Sequence, residues 1–375
     1  MPKTTKNCEI ALAGQGRSWS LGRALSHVPD KLMPPRKPPT MQDIARRVGV
    51  SPMTVSRALR DGTSVNAKTR EAILRAVEEL GYVFDATAAN LRQQRTGFVA
   101  VTIPSINNAN FADTVRGLSD GLRDHSLQIL LAYTDYDVGQ EEVLVEQLLR
   151  RRPEAIVVTG GQHTPKCRRL LEGANIPVVE MWDLPADPIG HVVGFSNADA
   201  AAMLVDHLVS SGRSRIAFIG GDTDRDSRGA DRRVGFIRAM EKHGLDASRL
   251  VGAGTPPLSM REGATAVRAL LHEAPDTQAV ICVSDPVAFG ALTECQRLGV
   301  LVPQTMAVAG FGDYEISAFS VPSLTTIDPL STQIGRLAAD AVIAAISGDS
   351  ASPTNSHLAP TLKVRESSVV ANRSF

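Results

Sequence analysis

At 375 residues the chain is too long for one ordinary domain and suggests two or three. A hydrophobic share of 43% beside 21% charged residues is that of a soluble globular protein, and no apolar run reaches the roughly 18 residues that would cross a bilayer. The formal net charge is zero, yet residues 36–95 hold eleven Lys/Arg against six Asp/Glu (+5), residues 1–35 carry +3 and the remainder carries −8. A small basic head on a larger acidic body is the electrostatic footprint of a DNA reader joined to a regulatory core.

Residues 1–39 read as a disordered extension. Pro34, Pro35, Pro38 and Pro39 crowd its end, and nothing before them is periodic. The readings are a disordered arm, a basic arm tracking phosphates, or a start codon assigned too early, with Met33 as the alternative start. The first thirty residues lack the basic-then-apolar pattern of a secretory signal, so a cytoplasmic location is expected. Four scattered cysteines, Cys8, Cys167, Cys282 and Cys295, have no CxxC spacing and fit reduced, mostly buried thiols.

Thr40 to Arg60, TMQDIARRVGVSPMTVSRALR, reads as a helix-turn-helix within a DNA-binding head over residues 40–83. Thr40 caps the first helix with Asp43 in the reciprocal position; Ile44, Ala45 and Val48 form its apolar face. Gly49-Val50 makes the turn, Ser51 caps the second helix, and Pro52 occupies its first position, where a missing N–H costs nothing. Val55 and Leu59 hold that helix on the first, which leaves Pro52, Met53, Thr54, Ser56 and Arg57 facing outward as a recognition surface. Arg57 suits a bidentate contact to guanine and Met53 a thymine methyl. The third helix runs from Ala67 to Leu80, capped by Asn66, stopped by Gly81, and buried along Ile73, Val77 and Leu80. Lys68, Thr69 and Arg70 crowd its first turn, where a phosphate is held without reading sequence.

Residues 84–96, FDATAANLRQQRT, have little apolar surface, and so short a helix is marginal alone in water. From Gly97 the pattern turns to alternating strand and helix, the signature of parallel sheets covered on both faces. Buried strands are expected at 98–103, 128–132, 155–159 and 177–180, with helices near 111–125, 138–151 and 165–173. A second series has strands near 215–219, 250–252, 279–283 and 306–310 and helices near 197–211, 230–243, 260–273 and 286–298. Two such series suggest two similar lobes about a cleft.

The segments VGVSPMTVSRAL, VNAKTREAILRAVEELGY and GFVAVTIP resemble the lactose-repressor (LacI/GalR) family of bacterial transcription regulators. The similarity runs from about Thr40 to about Glu366 and includes RRVGF at 232–236, SDPVAFG at 284–290 and VAGFGDYE…VPSLTTI at 308–327. Within the family, TGGQHTP, IPVVEMWD, TECQRLG and VAGFGDYE are most similar to the gluconate-utilisation repressors. The resemblance implies an all-α head followed by two doubly wound parallel-sheet lobes of the periplasmic-binding-protein type. The first lobe is expected over about 97–195 plus 328–375 and the second over about 196–327, the chain crossing back near 321–330. It also implies that 84–96 is a hinge helix ordered on operator DNA, with Ala88 on its packing face and Leu91 as the minor-groove wedge, against the alternative of a plain linker. Phe84-Asp85 departs from the family's usual Pro-Asn. The implied partners are a pseudo-palindromic double-stranded operator, a small-molecule effector and a second copy of the chain, with no cofactor and no membrane.

Signatures of catalysis are missing from the sequence: it has no GxxxxGK[ST], HExxH or GxSxG, and Gly220-Gly221-Asp222 does not complete GxGxxG. Eight histidines show no metal-ligand spacing, and the Asp222, Asp224, Asp226 run lacks the glycine and distal glutamate of an EF-hand. An effector site is sought beyond the carboxyl ends of the strands. In the first lobe this selects Ser105, Asn110, Phe111, His163 (between Gln162 and Thr164), Glu180 and Asp183. In the second it selects Ser284 and Asp285, and the resemblance adds Arg228 and Arg232, which match the family's ligand-binding loop and the helix after it. Where many family members carry an aspartate this chain has Gly312, with Asp313 next; losing a carboxylate while two arginines face the cleft suits an anion gripped bidentately. A sugar acid such as gluconate, or a phosphorylated aldonate, is the expected effector of a repressor. The alternatives are a sugar-acid-binding protein without regulatory DNA contact and an architectural DNA-binding protein whose core only dimerises.

Overall fold

The computed structural model describes residues 37–60, 65–83, 95–223, 225–348 and 353–369. The expected hinge, Ala88 and Leu91 included, lies outside them except for its last two residues, as do the first 36 residues of the extension. Two compact units divide at residues 86 and 87. Among the described residues no helix is long and apolar enough to cross a membrane.

The first unit holds α1 (Met41–Val48), α2 (Pro52–Arg60) and α3 (Ala67–Leu80). Local chemistry fixes their ends. Thr40 and Asp43 form a complete capping box on α1, and Gly49 closes it in the left-handed region at φ 77°. The Ser51 hydroxyl accepts the Thr54 amide at 3.1 Å, and Asn66 accepts the Lys68 amide at 2.9 Å. Each cap is worth about 1 kcal/mol, which matters because the core of the head is little more than Ile44, Ala45, Val55, Ala58, Ile73 and Ala76. Leu80, expected in the buried stripe of α3, is exposed; Ala76 takes its place, three residues after Ile73 on the same face.

The second unit contains two sheets. The first lobe runs β1 (Phe98–Ile103), α4 (Ala109–Leu122), β2 (Gln128–Tyr133), α5 (Val138–Leu149), β3 (Ala155–Thr159), α6 (Pro165–Glu172), β4 (Val178–Met181) and β5 (His191–Gly194). The second runs α7 (Asn197–Ser210), β6 (Ile216–Gly220), α8 (Ser227–Lys242), β7 (Leu250–Gly252), α9 (Met260–Glu273), β8 (Ala279–Cys282), α10 (Asp285–Leu298), β9 (Ala307–Phe311), α11 (Glu315–Phe319) and β10 (Thr325–Asp328). The chain returns through α12 (Ser331–Ser347), which packs along α4, and ends its regular structure with β11 (Asn355–His357) and β12 (Thr361–Lys363). Strand order is β11-β5-β4-β3-β1-β2 in one sheet and β12-β10-β9-β8-β6-β7 in the other.

Two expectations are corrected here. β2 was expected to be fully buried, but it is a sheet edge and is only half-covered along its length. The tail was expected to stay with the first lobe from residue 328 onward. Instead β11 joins the first sheet beside β5, while β12 runs antiparallel to β10 in the second, pairing Thr326 with Lys363. The chain therefore crosses between lobes three times, after β5, after β10 and after β11. Alternation along the central strands sorts the first lobe's core: Val99, Val101, Val157 and Val179 face α4 and α12, whereas Ala100, Ile156, Val158 and Val178 face α5 and α6.

Candidate functional site

In the head, Pro52, Met53 and Arg57 are exposed on α2, with Met53 61% open to solvent. Met53 and Arg57 stand four residues apart, one above the other on the helix face. Thr54 is half-buried, and its hydroxyl lies 2.9 Å from that of Ser51. Ser56 was expected on this outward face, but it is buried. It lies between Val55 and Ala58, and in so small a head the covered stripe of α2 is wide enough to include it. Thr40 spends its hydroxyl on Asp43 at 2.6 Å, which holds that carboxyl below its usual range. Lys68 is exposed and Thr69 half-buried at the start of α3.

Between the two sheets lies a cleft of about 470 Å³. The first lobe brings Ser105, Asn110 and Phe111 to it, and the second brings Arg228, Arg232 and Ser284. Six of the ten residues selected from the sequence thus line one cavity. Arg228 and Arg232 are four apart on α8, in its first two turns, so both guanidiniums project from one face beside a helix N-terminus that favours anions. Arg232 is held firmly: Nε donates to Asn197 Oδ1 at 3.0 Å, one terminal nitrogen donates to the Val283 carbonyl at 2.8 Å, and the guanidinium lies 3.6 Å over the Phe311 ring. Burial, opposed by Asp226, pulls its pKa down to about 10, still charged at neutral pH. Arg228 is buried with longer contacts, 3.5 Å to the Thr159 carbonyl and 3.8 Å to Asp226. Gly160, at φ 97°, makes room for it, since a Cβ there would stand 2.7 Å from the guanidinium.

An aromatic row links the lobes. Phe111 meets Trp182 edge-on at 5.2 Å, Trp182 meets Phe195 at 5.9 Å, and Phe195 stacks on Phe311 at 6.2 Å. An arginine sits at each end, Arg228 near Phe111 and Arg232 on Phe311. Trp182 adopts φ 73°, unusual for so bulky a residue, and its indole donates to Thr114 at 3.1 Å. Hydrogen bonds then clasp the lobes across the mouth. Tyr314 donates to Asn108 Oδ1 at 2.6 Å and Arg225 pairs with Asp137 at 2.5 Å, while within the first lobe Asn108 donates to Tyr136 at 3.4 Å. Gly312, at φ 137°, is where a Cβ would collide with both Tyr314 and Asn110, so the missing side chain is what lets the tyrosine fold over the cleft. Asp313 does not restore a carboxylate there, because it pairs with Arg365 at 2.5 Å.

Four selected residues are not in the lining. Glu180 alternates with Val179 and Met181 on β4 and so points to the α5/α6 side of the sheet, away from Phe111. It is buried there with His163, whose Nδ1 lies 2.8 Å from Glu141. Asp183 accepts the backbone amides of Leu184 at 2.9 Å and Gly161 at 3.4 Å. Asp285 is buried behind the cleft, accepting from Thr326 and Ser317 at 2.6 Å each and from the Tyr314 amide at 2.9 Å. Burial raises its pKa to about 6 against those three hydrogen bonds. Thr164 caps α6, and Gln162 lines a smaller neighbouring cavity. Sequence reasoning passed over Asn108, Tyr136, Trp182, Asp226, Phe311 and Tyr314, all in the lining. Tyr136, Trp182 and Tyr314 do lie just beyond strand ends, so the rule that found Ser105 and Ser284 applies to them too.

Comparison with known proteins gives matches in both units. The family model described as bacterial regulatory proteins of the lacI family matches residues 40–85, and a periplasmic binding protein-like domain matches residues 205–368. The HTH-type transcriptional regulator GntR of Pseudomonas aeruginosa is 36% identical over 329 residues, covering 88% of this chain and 95% of the relative. Among solved structures, a LacI family transcriptional regulator from Silicibacter pomeroyi is 43% identical with a TM-score of 0.68, covering 72% of this chain and 98% of the other. The transcription regulator GntR from Chromobacterium violaceum is 36% identical with a TM-score of 0.69, covering 72% and 99%.

Proposed function

We propose, because this chain belongs to the lactose-repressor (LacI/GalR) family of bacterial transcription regulators and to its gluconate-utilisation branch, that it is a repressor released from its operator by a sugar acid bound between the two core lobes. Its relatives are DNA-binding transcription regulators, not enzymes. The observation that carries the effector assignment is the pair Arg228 and Arg232 on one face of α8. Among the described lining residues they meet a single carboxylate, Asp226, which leaves the cleft one positive charge in surplus. A planar carboxylate or a phosphate satisfies that surplus with charge-assisted hydrogen bonds. The neutral donors and acceptors of Ser105, Asn108, Asn110 and Ser284 suit the hydroxyls of an open-chain polyol acid such as gluconate or its phosphorylated form.

The mechanism is a two-state switch. A dimer presents two heads to a pseudo-palindromic operator, with Pro52, Met53 and Arg57 reading bases and Lys68 and Thr69 positioning the head on phosphates. Effector favours the clasped arrangement of the lobes, and operator affinity falls by the difference in effector affinity between the two arrangements. A thermal-shift screen of aldonates and their phosphates, with neutral sugars as controls, tests the reading. A ligand at 100 times its Kd should add about 2.7 kcal/mol, and the same ligand should release a labelled operator fragment. A response to neutral sugars alone would overturn the anionic site. A folded protein that answers none of these ligands would be an architectural DNA binder instead.

A further inference from the structure

His163 and Glu180, which the effector cleft does not use, belong to a second buried cluster in the first lobe. Glu141 stands in the first turn of α5, His163 in the loop after β3, Cys167 in the first turn of α6, and Glu180 on β4. The side chains of His163, Glu141 and Glu180 are 1%, 6% and 0% exposed, and Cys167 is buried. His163 Nδ1 lies 2.8 Å from Glu141 Oε2, and Cys167 Sγ lies 3.8 Å from the same oxygen. One donor atom from each of these three residues falls within 4.8 Å of the other two. Independently, His163 Nε2 and Glu180 Oε1 are both buried without a hydrogen-bond partner, and they face each other at 3.6 Å.

We propose that Glu141, His163 and Cys167 form a binding site for a divalent transition-metal ion of the zinc class, with Glu180 as the outer carboxylate that orients His163. A mixed oxygen, nitrogen and sulfur set suits a borderline ion. Tetrahedral bonds of about 2.0 Å to nitrogen and oxygen and about 2.3 Å to sulfur put ligand atoms roughly 3.3–3.5 Å apart. The His163–Glu141 and Cys167–Glu141 separations need adjustments of about half an ångström or less to meet that figure, and the His163–Cys167 pair lies within 4.8 Å. A metal on Nδ1 leaves the imidazole proton on Nε2, and Glu180 Oε1 is the acceptor that such a proton requires. Its other oxygen is already fixed by the Ile189 amide at 2.6 Å. Glu141 also lines a cavity of about 30 Å³, shared with Arg225 and Arg228, that has room for a water in the fourth position. His163 and Cys167 are four apart, a spacing common to metal ligands, but Glu141 lies 22 residues before His163, so the sequence alone does not assemble the set.

The test uses the full chain, stripped with chelator and titrated with cobalt(II) chloride, and its readout is independent of any effector. One cobalt per chain is expected, with the intense visible absorption of a four-coordinate ion and a thiolate-to-metal band in the near ultraviolet, both removed by one equivalent of zinc. Cys167→Ser should lose the near-ultraviolet band with an unchanged far-ultraviolet circular dichroism spectrum, while Cys295→Ser keeps it. Glu180→Gln should keep the band and weaken affinity about 10- to 100-fold. Absence of stoichiometric cobalt in the wild-type chain, or a thiolate band that survives Cys167→Ser, would overturn the site.

Discussion

The two lobes share a topology but divide the cleft's chemistry unequally. The first contributes hydroxyls, amides and rings: Ser105, Asn108, Asn110, Phe111, Tyr136 and Trp182. The second contributes the formal charges, Asp226, Arg228 and Arg232, on and just before one helix. A ligand that only needed its acid group held would be served by the second lobe alone. One that also carries hydroxyls would satisfy both lobes at once, which in the proposed mechanism links binding to closure. The largest expected effect follows from this asymmetry. Arg232→Ala should weaken aldonate binding by about 2 kcal/mol or more, roughly 30-fold; isothermal titration measures it. Arg232→Lys should fall between, because a lysine keeps the charge but not the planar fork. Equal losses from Arg232→Ala and from any first-lobe amide would dissolve the distinction between grip and readout.

The lobes also differ in how they house buried acids. Asp285 in the second lobe is fully provided for by Thr326, Ser317 and the Tyr314 amide, whereas Glu180 in the first keeps one oxygen unpaired. Asp285 is nevertheless pushed up to about 6 by burial. For an acid whose folded pKa is raised, the stabilising contribution is present below the unfolded value of about 3.9 and is lost as pH rises through about 6. The loss is on the order of 3 kcal/mol at most. Urea midpoints at pH 4.5 and pH 7 should therefore show Asp285→Asn more destabilising, relative to wild type, at the lower pH. A pH-independent penalty would mean that the carboxyl stays ionised throughout.

Much of this was legible from residue pattern, and the failures share a cause. Caps and periodicity placed α3 at Ala67–Leu80 and β1 at Phe98–Ile103, because those signals are local. The strand-end rule found Ser105 and Ser284 but also Glu180, because it names the end of a strand and not the face on which a side chain emerges; Arg228 and Arg232 came from the family resemblance. Trp182 was passed over for the polar residues on either side, although its φ of 73° turns the ring inward. Ser56 was misplaced because exposure on a nine-residue helix depends on how widely its neighbours wrap it. β12 pairs with β10 across some thirty-five residues, and three short residues carry no register of their own.

Gly312 offers a smaller test of the same division, since an aspartate there would put a carboxylate between Tyr314 of the second lobe and Asn110 of the neutral first lobe. With φ at 137° and a Cβ meeting Tyr314 and Asn110, Gly312→Asp should cost about 1–3 kcal/mol in folding stability through overpacking. It should also lower aldonate affinity further than it lowers stability, by repulsion. Gly312→Ala is the control that carries the overpacking without the charge. If both variants bind aldonates equally, charge at that position is not part of recognition.

The smallest expected effect concerns the clasp. The Tyr314 hydroxyl donates to Asn108 Oδ1 at 2.6 Å across the mouth of the cleft. Removing it in Tyr314→Phe deletes one hydrogen bond between lobes, worth about 1 kcal/mol. If the clasped arrangement is the one that binds effector, its equilibrium constant against the open one falls about fivefold and apparent affinity falls by up to that factor. Tyr314 also lines the cleft, so the same loss would follow from a lost contact to ligand. Asn108→Ala and the double variant separate the two. A clasp makes the tyrosine and asparagine losses non-additive, with the double variant little worse than either single one, whereas independent ligand contacts add. Additive losses would leave the lobes held by Arg225–Asp137, by the Arg228 contact to the Thr159 carbonyl and by ligand, and the second lobe's arginines would then set both grip and closure.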